Sequence, residues 1–330
     1  MRPHILWPDV LKGCLMIFVV MEHAIFSIMP ESYLDNHLWN ATHSFIMPTF
    51  IALSGYLNYK GDNHLSQRWH TIGRRFLQLI VPFLIWSFVR TLVLGYYTKT
   101  FGFLRPILLP NSSYWFLWAL FFITCVFYGA DWLAEKTHIC LEIISAFIAI
   151  CFAVLMVGFE FRWFGFQHIT YYFIFYALGY FLHQYKFNIS QTWLLTLLTA
   201  IWAVLAWWWK VRGVPTPLQG IALPGTLLSY PYRFVTAIVA IAVIFSLLPR
   251  VKKENVITRF LSNIGAQSMG IYIFHMIIMP FIVKALLPII PNVFWLITLT
   301  FVISFALAWI LTWAIDNWSW GRRWLLGKHN

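Results

Sequence analysis

Charged residues are scarce in this chain. Of its 330 residues, 10% are Asp, Glu, Lys or Arg and 61% are hydrophobic, and the mean hydropathy is +0.73. Soluble domains carry about 25% charged residues, so too few polar groups are present to cover a surface that faces water. The composition therefore excludes a soluble globular protein. It also excludes large soluble inserts, because no stretch of even forty residues is polar. It predicts an integral membrane protein instead.

Cysteines are also few, and they show no paired spacing. Cys14, Cys125, Cys140 and Cys151 lie in apolar runs without a Cys-x-x-Cys, which favours buried free thiols over a disulfide framework. No cluster of His, Cys and carboxylates has the spacing of zinc ligands, so we predict no metal. The first apolar run contains Lys12 and lacks an A-x-A-like exit, so we expect no cleavable signal peptide.

The net charge of +12 comes from 23 Lys and Arg against 11 Asp and Glu. Nucleic acid is one class of partner for a basic protein, but membrane proteins collect Lys and Arg in their cytoplasmic loops. With a cytoplasmic N-terminus, fourteen Lys and Arg fall in inner segments and six in outer ones. We therefore predict membrane lipids, not nucleic acid, as the surroundings of these charges, and cytoplasmic positions for both termini.

Long apolar runs fill most of the chain. About 20 apolar residues span the hydrocarbon core of a bilayer. The sequence shows no internal repeat, no low-complexity tract and no linker, so we predict an all-α, multi-pass helical bundle that forms a single domain over 1–330. The ten candidate spans lie near 10–29, 38–59, 76–97, 113–133, 139–158, 168–185, 190–209, 230–248, 266–287 and 293–315.

The first span, "DVLKGCLMIFVVMEHAIF", contains four titratable residues. Lys12 and His23 are eleven residues apart, which places them on one helix face within about 20° and about 16 Å apart along the axis. Asp9 shares that side, three residues before Lys12, whereas Glu22 is rotated by about 100° from His23. Ionisable groups within spans are costly and mark a functional interior. The shared stripe therefore predicts a helix that faces a bundle interior or a water-filled cleft.

Two arginines, Arg74 and Arg75, precede the third span in "RWHTIGRRFLQLIVPFLIW". They fit plain anchoring at the cytoplasmic surface. They equally fit recognition of an anion, because guanidinium groups match phosphate oxygens. The sequence leaves both interpretations open.

Nearly the whole chain resembles the acyltransferase-3 family of multi-pass membrane acyltransferases. The resemblance rests on four short motifs in the family's order and spacing. They are "DVLKGCLMIFVVMEH" with Lys12 and His23; "HSFIMPTFIALSGYL" with Met47, Pro48, Phe50, Ser54, Gly55 and Tyr56; "YWFLWALF" with Trp115, Phe116 and Leu117; and "IGAQSMGIYIFH" with Gly265, Ser268, Tyr272 and His275.

The chain departs from the family pattern at two positions. The family often has R-x-x-R before the third-span proline, and here Arg75 fits the first arginine whereas Gln78 takes the place of the second. The residue before the histidine is often small or apolar, and here it is Glu22. Glu22 could orient or charge the imidazole of His23, although adjacent helix positions point apart. The interpretation we favour is that Glu22 pairs with another span, with Arg90 and Arg233 as candidate partners.

The resemblance implies an O-acyltransferase of the bacterial inner membrane that uses cytoplasmic acyl-CoA as co-substrate and has no bound cofactor. Acetyl-CoA is the expected donor, and succinyl-CoA is the alternative. The acceptor would be a hydroxyl of an envelope glycan, such as O-antigen, capsule or common antigen, or of a lipid-linked sugar. His23 would be the general base or a covalent acyl carrier. Donor binding would fall to Lys12, Arg74 and Arg75, with Asp9, Glu22, Ser54, Trp115 and His275 as supporting candidates.

Alternatives remain at the level of the sequence. Trp115 also fits an interfacial aromatic belt, Ser54 fits helix packing, and His43 and His275 fit structural hydrogen bonding. A transporter or flippase for a lipid-linked sugar is a second class of function, and a non-catalytic membrane scaffold is a third. The scaffold does not require Lys12 and His23 on one face.

Overall fold

The structure, a computed structural model, describes residues 6–59, 68–98, 102–110, 114–159, 161, 163–251 and 254–328. All regular elements in these ranges are helical, which confirms the all-α prediction. The α-helices are α1 (Leu6–Ile28), α2 (His37–His43), α3 (Ile46–Asn58), α4 (Arg68–Arg75), α5 (Val81–Val93), α6 (Arg105–Leu108), α7 (Trp115–Thr137), α8 (Leu141–Gly158), α9 (Phe166–Gln184), α10 (Thr192–Trp207), α11 (Gly225–Leu247), α12 (Val256–Ala266), α13 (Ser268–Leu286), α14 (Val293–Asp316) and α15 (Ser319–Trp324).

Seven helical segments within the described ranges are long and apolar enough to cross a membrane, in agreement with a multi-pass membrane protein. They comprise α1, the continuous segment Trp69–Val93, α7, α8, Gly225–Arg250, α13 and α14. The predicted span at 38–59 is divided between α2 and α3, and α10 has 16 residues. The count of about ten spans and the cytoplasmic position of the termini stay predictions.

The long helices differ in how much of their surface packs against protein. In α8 only 11% of the span is buried, whereas in α1 the buried share is 50%. The outer face of α8 exposes Phe147, Ile150 and Val154 by more than 60% each. Such an apolar face suits lipid contact. The first helix instead faces protein, as its polar stripe predicted.

The chain divides into two compact units. The first comprises Met1–Phe50 and Lys186–Trp313, and the second comprises Ile51–Tyr185 and Ala314–Asn330. The prediction of a single domain over 1–330 stays a prediction. The four cysteines are free, as expected, but they are not buried thiols: Cys140 is exposed and the other three are partly exposed.

Helix α12 was missed among the predicted spans because it is short and amphipathic. A reciprocal cap starts it: Thr258 N–H donates to Asn255 Oδ1 and Asn255 N–H donates to Thr258 Oγ1, each at 2.8 Å. This capping box satisfies backbone donors that the first turn leaves without a helical partner. The cap thereby fixes the residue at which this short helix begins.

Helices α1 and α12 cross antiparallel in the first unit at two glycines. A Cβ on Gly13 would overlap the carbonyl group of Leu261, and a Cβ on Gly265 would overlap that of Asp9. Small residues allow such backbone contact between membrane helices. The glycines that follow Lys12 and open the late motif are therefore required by the packing of α1.

We predict that Gly265→Ala destabilises the protein. The added methyl group would push α12 away from the rigid backbone of α1, and overpacking of this kind costs about 1–3 kcal/mol. The apparent melting temperature of the purified protein measures the loss. Gly129→Ala is the matched control, because nothing lies within 4 Å of a Cβ there. Equal melting temperatures for the two variants would contradict the close contact.

Candidate active site

Lys12 and Asp9 form an ion pair in the first turns of α1. The distance from Lys12 Nζ to Asp9 Oδ1 is 2.9 Å, and the side chains are 30% and 17% exposed. The pair follows from the i,i+3 spacing in a helix. It holds the ammonium group to the side chain of Asp9 and leaves it partly exposed.

The ring of His23 stacks on the ring of His275, which α13 contributes to the same unit. Their centroids are 5.0 Å apart and their planes differ by 20°. His275 is fully buried, and its Nδ1 lies 2.8 Å from the carbonyl oxygen of Ile271. Because a carbonyl oxygen only accepts, Nδ1 carries a proton and donates it to this oxygen. Two histidines that are 252 positions apart in the sequence thus share one place.

Glu22 pairs with a histidine, so the expectation of an arginine partner, Arg90 or Arg233, is wrong. Its Oε2 lies 3.0 Å from Nδ1 of His43, and the residue is only 5% exposed. Arg233 instead donates from Nε to the backbone oxygen of Lys210. The physical reason is rotation along α1, which turns Glu22 away from His23 and toward α2.

Aromatic rings hold His43 on two sides. Trp39 stacks on it with centroids 4.3 Å apart and planes 13° apart, and the Trp209 ring lies at 5.6 Å and 55°. Both indoles are buried. Helix α2 is fixed at its start, where the Trp39 N–H donates to Asn36 Oδ1 at 3.0 Å. The His43 Nδ1 is tied to Glu22, and the His43 side chain is 26% exposed.

The arginine pair lies in the second unit, at the end of α4. Arg74 is exposed and Arg75 is partly exposed. A π-helical turn, Phe76–Ile80, follows directly. It precedes Pro82, which has no N–H to donate to the carbonyl of Gln78. The prediction that these arginines and Lys12 serve one donor molecule stays a prediction.

The carbonyl of Gln78 faces the chain after α15. At Gly327 a Cβ would overlap that carbonyl oxygen. The indole N–H of Trp86 donates to the carbonyl of Leu325 at 2.8 Å. The segment after α15 thus packs against the π-helical turn at Gln78 and against α5 at Trp86, within the second unit.

Ser54 and Trp115 also belong to the second unit. Trp115 stacks on His168 and on Tyr172, with centroids 4.1 and 5.3 Å apart. Ser54 is partly buried in α3, next to Gly55, whose added Cβ would overlap the carbonyl of Tyr176. The geometry thus gives Trp115 an aromatic stack and places Ser54 beside a close helix contact, and neither finding tests a catalytic role.

The structure therefore brings together His23 with His275, Lys12 with Asp9, and Glu22 with His43. Sequence reasoning missed Trp39 and Trp209 as partners of a polar pair. The one available signal was Glu22 itself, a buried acid where the family pattern has a small or apolar residue. Within the described ranges, no three His, Cys, Asp or Glu side chains gather as a metal ion would require.

Comparison with known proteins gave two matches. The sequence model of the family described as "Acyltransferase domain" matches residues 5–313. The nodulation protein NolL of Sinorhizobium fredii (strain NBRC 101917 / NGR234) is 27% identical over 158 residues, which cover 44% of this chain and 43% of that protein. The chain thus spans less than half the length of this curated relative. No solved structure matches the chain.

We predict that His275→Ala destabilises the protein by about 2–5 kcal/mol, the cost of emptying a buried site of this size. His275→Phe keeps a ring against His23 and should cost less. Apparent melting temperatures of both variants measure the difference. The exposed His37 provides the control, since His37→Ala should leave the melting temperature unchanged. Equal losses for the alanine and phenylalanine variants would show that ring packing at His275 does not matter.

Proposed function

The chain belongs to the acyltransferase-3 family, since the family's sequence model matches residues 5–313, and on that premise we propose which groups this membrane acyltransferase transfers. It moves an acyl group from cytoplasmic acyl-CoA to a hydroxyl of an envelope glycan or of a lipid-linked sugar. Acetyl is the first candidate for this group and succinyl is the alternative. The place of the protein is the inner membrane of a bacterium. The resemblance drawn from the four sequence motifs is confirmed at the level of the family.

The observation that carries the proposal is the histidine pair on α1 and α13. Transfer of an acyl group to a hydroxyl requires a base or a nucleophile near neutral pH, and imidazole serves as either. His23 lies in a protein-facing helix, its ring set against the buried His275. In the proposal, His23 either deprotonates the acceptor hydroxyl as general base or accepts the acyl group from the thioester as carrier. His275 positions the ring of His23.

The donor would approach from the end of α1 that carries Lys12. The ion pair with Asp9 holds the ammonium group in place while leaving it 30% exposed, so a phosphate of acyl-CoA would compete for it. The rise from Lys12 to His23 is about 16 Å along the helix, on the order of the length of the donor's extended arm. Arg74 and Arg75 stay the other predicted contacts to the donor phosphates, because guanidinium groups match phosphate oxygens.

The first test uses membrane vesicles that contain the protein and are given labelled acetyl-CoA. We expect His23→Ala to abolish transfer of the label, with a loss of about 10²-fold or more, because no other group would replace the imidazole. His37→Ala, which changes an exposed histidine, should transfer normally. Full transfer by His23→Ala would remove His23 from the mechanism.

The same material separates an enzyme from a transporter. An acyltransferase should consume acetyl-CoA in detergent, where no gradient exists, whereas a flippase for a lipid-linked sugar should not. Envelope glycans from cells with and without the gene should then differ by one ester. An unchanged ester content together with an intact acetyl-CoA pool would contradict the proposed function.

A second prediction concerns the donor. Lys12→Gln, and separately Arg74→Gln with Arg75→Gln, should raise the KM for acetyl-CoA about tenfold or more, because each removes charge-assisted contacts to phosphate. Steady-state kinetics against acetyl-CoA measure the change. Lys284→Gln, at the last turn of α13, is the control and should leave this KM unchanged. A rise confined to the acceptor's KM would contradict donor binding at these residues.

A further inference from the structure

Glu22 has no task in the proposed function, yet it occupies a costly position. Burial of a carboxylate is unfavourable unless it is paired and hydrogen-bonded, and an acid within a membrane helix marks a functional site by default. Its Oε2 bonds to His43, while Oε1 has no hydrogen-bond partner among the described residues. A purely structural role would have been filled better by an apolar side chain, which needs no partner.

The geometry around His43 is that of an oriented base. A carboxylate on Nδ1 fixes the tautomer with the proton on Nδ1, leaves the lone pair on Nε2, and stabilises the ring once Nε2 becomes protonated. Trp39 and Trp209 hold the ring plane. The side chain of His43 keeps 26% of its surface exposed, whereas that of Glu22 keeps 6%. The pair therefore buries its carboxylate and leaves part of the imidazole side chain exposed.

We propose that His43 is the general base for the acceptor hydroxyl, that Glu22 is its positioning residue, and that His23 is the acyl carrier. The inference rests on the proposed function and decides between the two roles left open for His23. Glu22 and His23 are consecutive on α1 and point about 100° apart. In the proposal, the carrier and the partner of the base thus lie on neighbouring sides of one helical turn.

The two steps balance without any further reactant. In the first, a His23 nitrogen attacks the thioester carbonyl, a C–N bond forms, the C–S bond breaks, and the departing thiolate takes the proton that the imidazole loses. In the second, the acceptor oxygen attacks the acyl carbon while Nε2 of His43 takes the hydroxyl proton. The C–O bond forms, the C–N bond breaks, and the electron pair returns to His23, which receives the proton back from His43.

The test separates these steps in purified protein. Without acceptor, acetyl-CoA alone should release about one equivalent of CoA per protein and leave labelled acetyl on His23. Glycan extracted from cells that lack the gene then serves as the acceptor. We expect His43→Asn to keep the CoA burst and the label, but to slow transfer to the glycan about 10²–10⁴-fold, the usual contribution of a general base. Free imidazole added to His43→Ala should restore part of that transfer.

Glu22→Gln should also keep the burst and slow the second step about tenfold or more. It decides the question if His43→Asn fails to fold. The matched control is His37→Asn, because His37 stacks on Trp207 with the same centroid distance, 4.3 Å, and the same angle, 13°, as His43 on Trp39. This control should change neither step.

Normal glycan transfer by His43→Asn, or an equal loss of burst and transfer in Glu22→Gln, would overturn the inference while leaving the proposed function in place. Wild-type protein that transfers acetyl without any burst or label would likewise exclude the carrier role of His23. Wild-type protein that neither releases CoA nor acylates the glycan would end the proposed function, and the inference with it.

Discussion

Backbone contact between α1 and α12 packs the Lys12 end of the first helix against protein. At Gly13 and Gly265 the two helices approach so closely that no side-chain carbon fits between them. Half of the span in α1 is buried as a result. A helix with four titratable side chains cannot face lipid at low cost. The contact therefore makes the composition of α1 compatible with a membrane protein, and it explains why glycine stands at both crossing points.

The charged and histidine side chains of α1 have partners in different helices. Lys12 bonds within its own helix to Asp9, His23 stacks on His275 of α13, and Glu22 reaches His43 of α2. Rotation along the helix separates these partners, because residues 22 and 23 point in different directions. In the proposed mechanism, one span carries the donor-facing end, the acyl carrier and the contact to the base.

In the second unit, the exposed Arg74 and the partly exposed Arg75 precede a span that contains a proline. Pro82 lacks the N–H that an α-helix needs at that position, and the helix continues through a π-helical turn at Phe76–Ile80. The carbonyl of Gln78 then lies against Gly327 from the end of the chain. Gln78 stands where the family often has its second arginine. In this chain the backbone carbonyl at that position packs against Gly327.

The sequence by itself determined the membrane class and the all-helical fold, because composition and helical periodicity act locally. Its four motifs pointed to the family by resemblance, and the shared face of Lys12 and His23 stays a prediction of helical spacing. The sequence did not reveal α12, whose 11 residues are too few and too polar to be recognised as a span. Nor did it name the partner of Glu22: an arginine satisfied the charge argument, but only the tertiary structure placed His43 within reach. Partner choice depends on which helices pack together and at what rotation, and neither quantity is written in the spacing of residues along one helix.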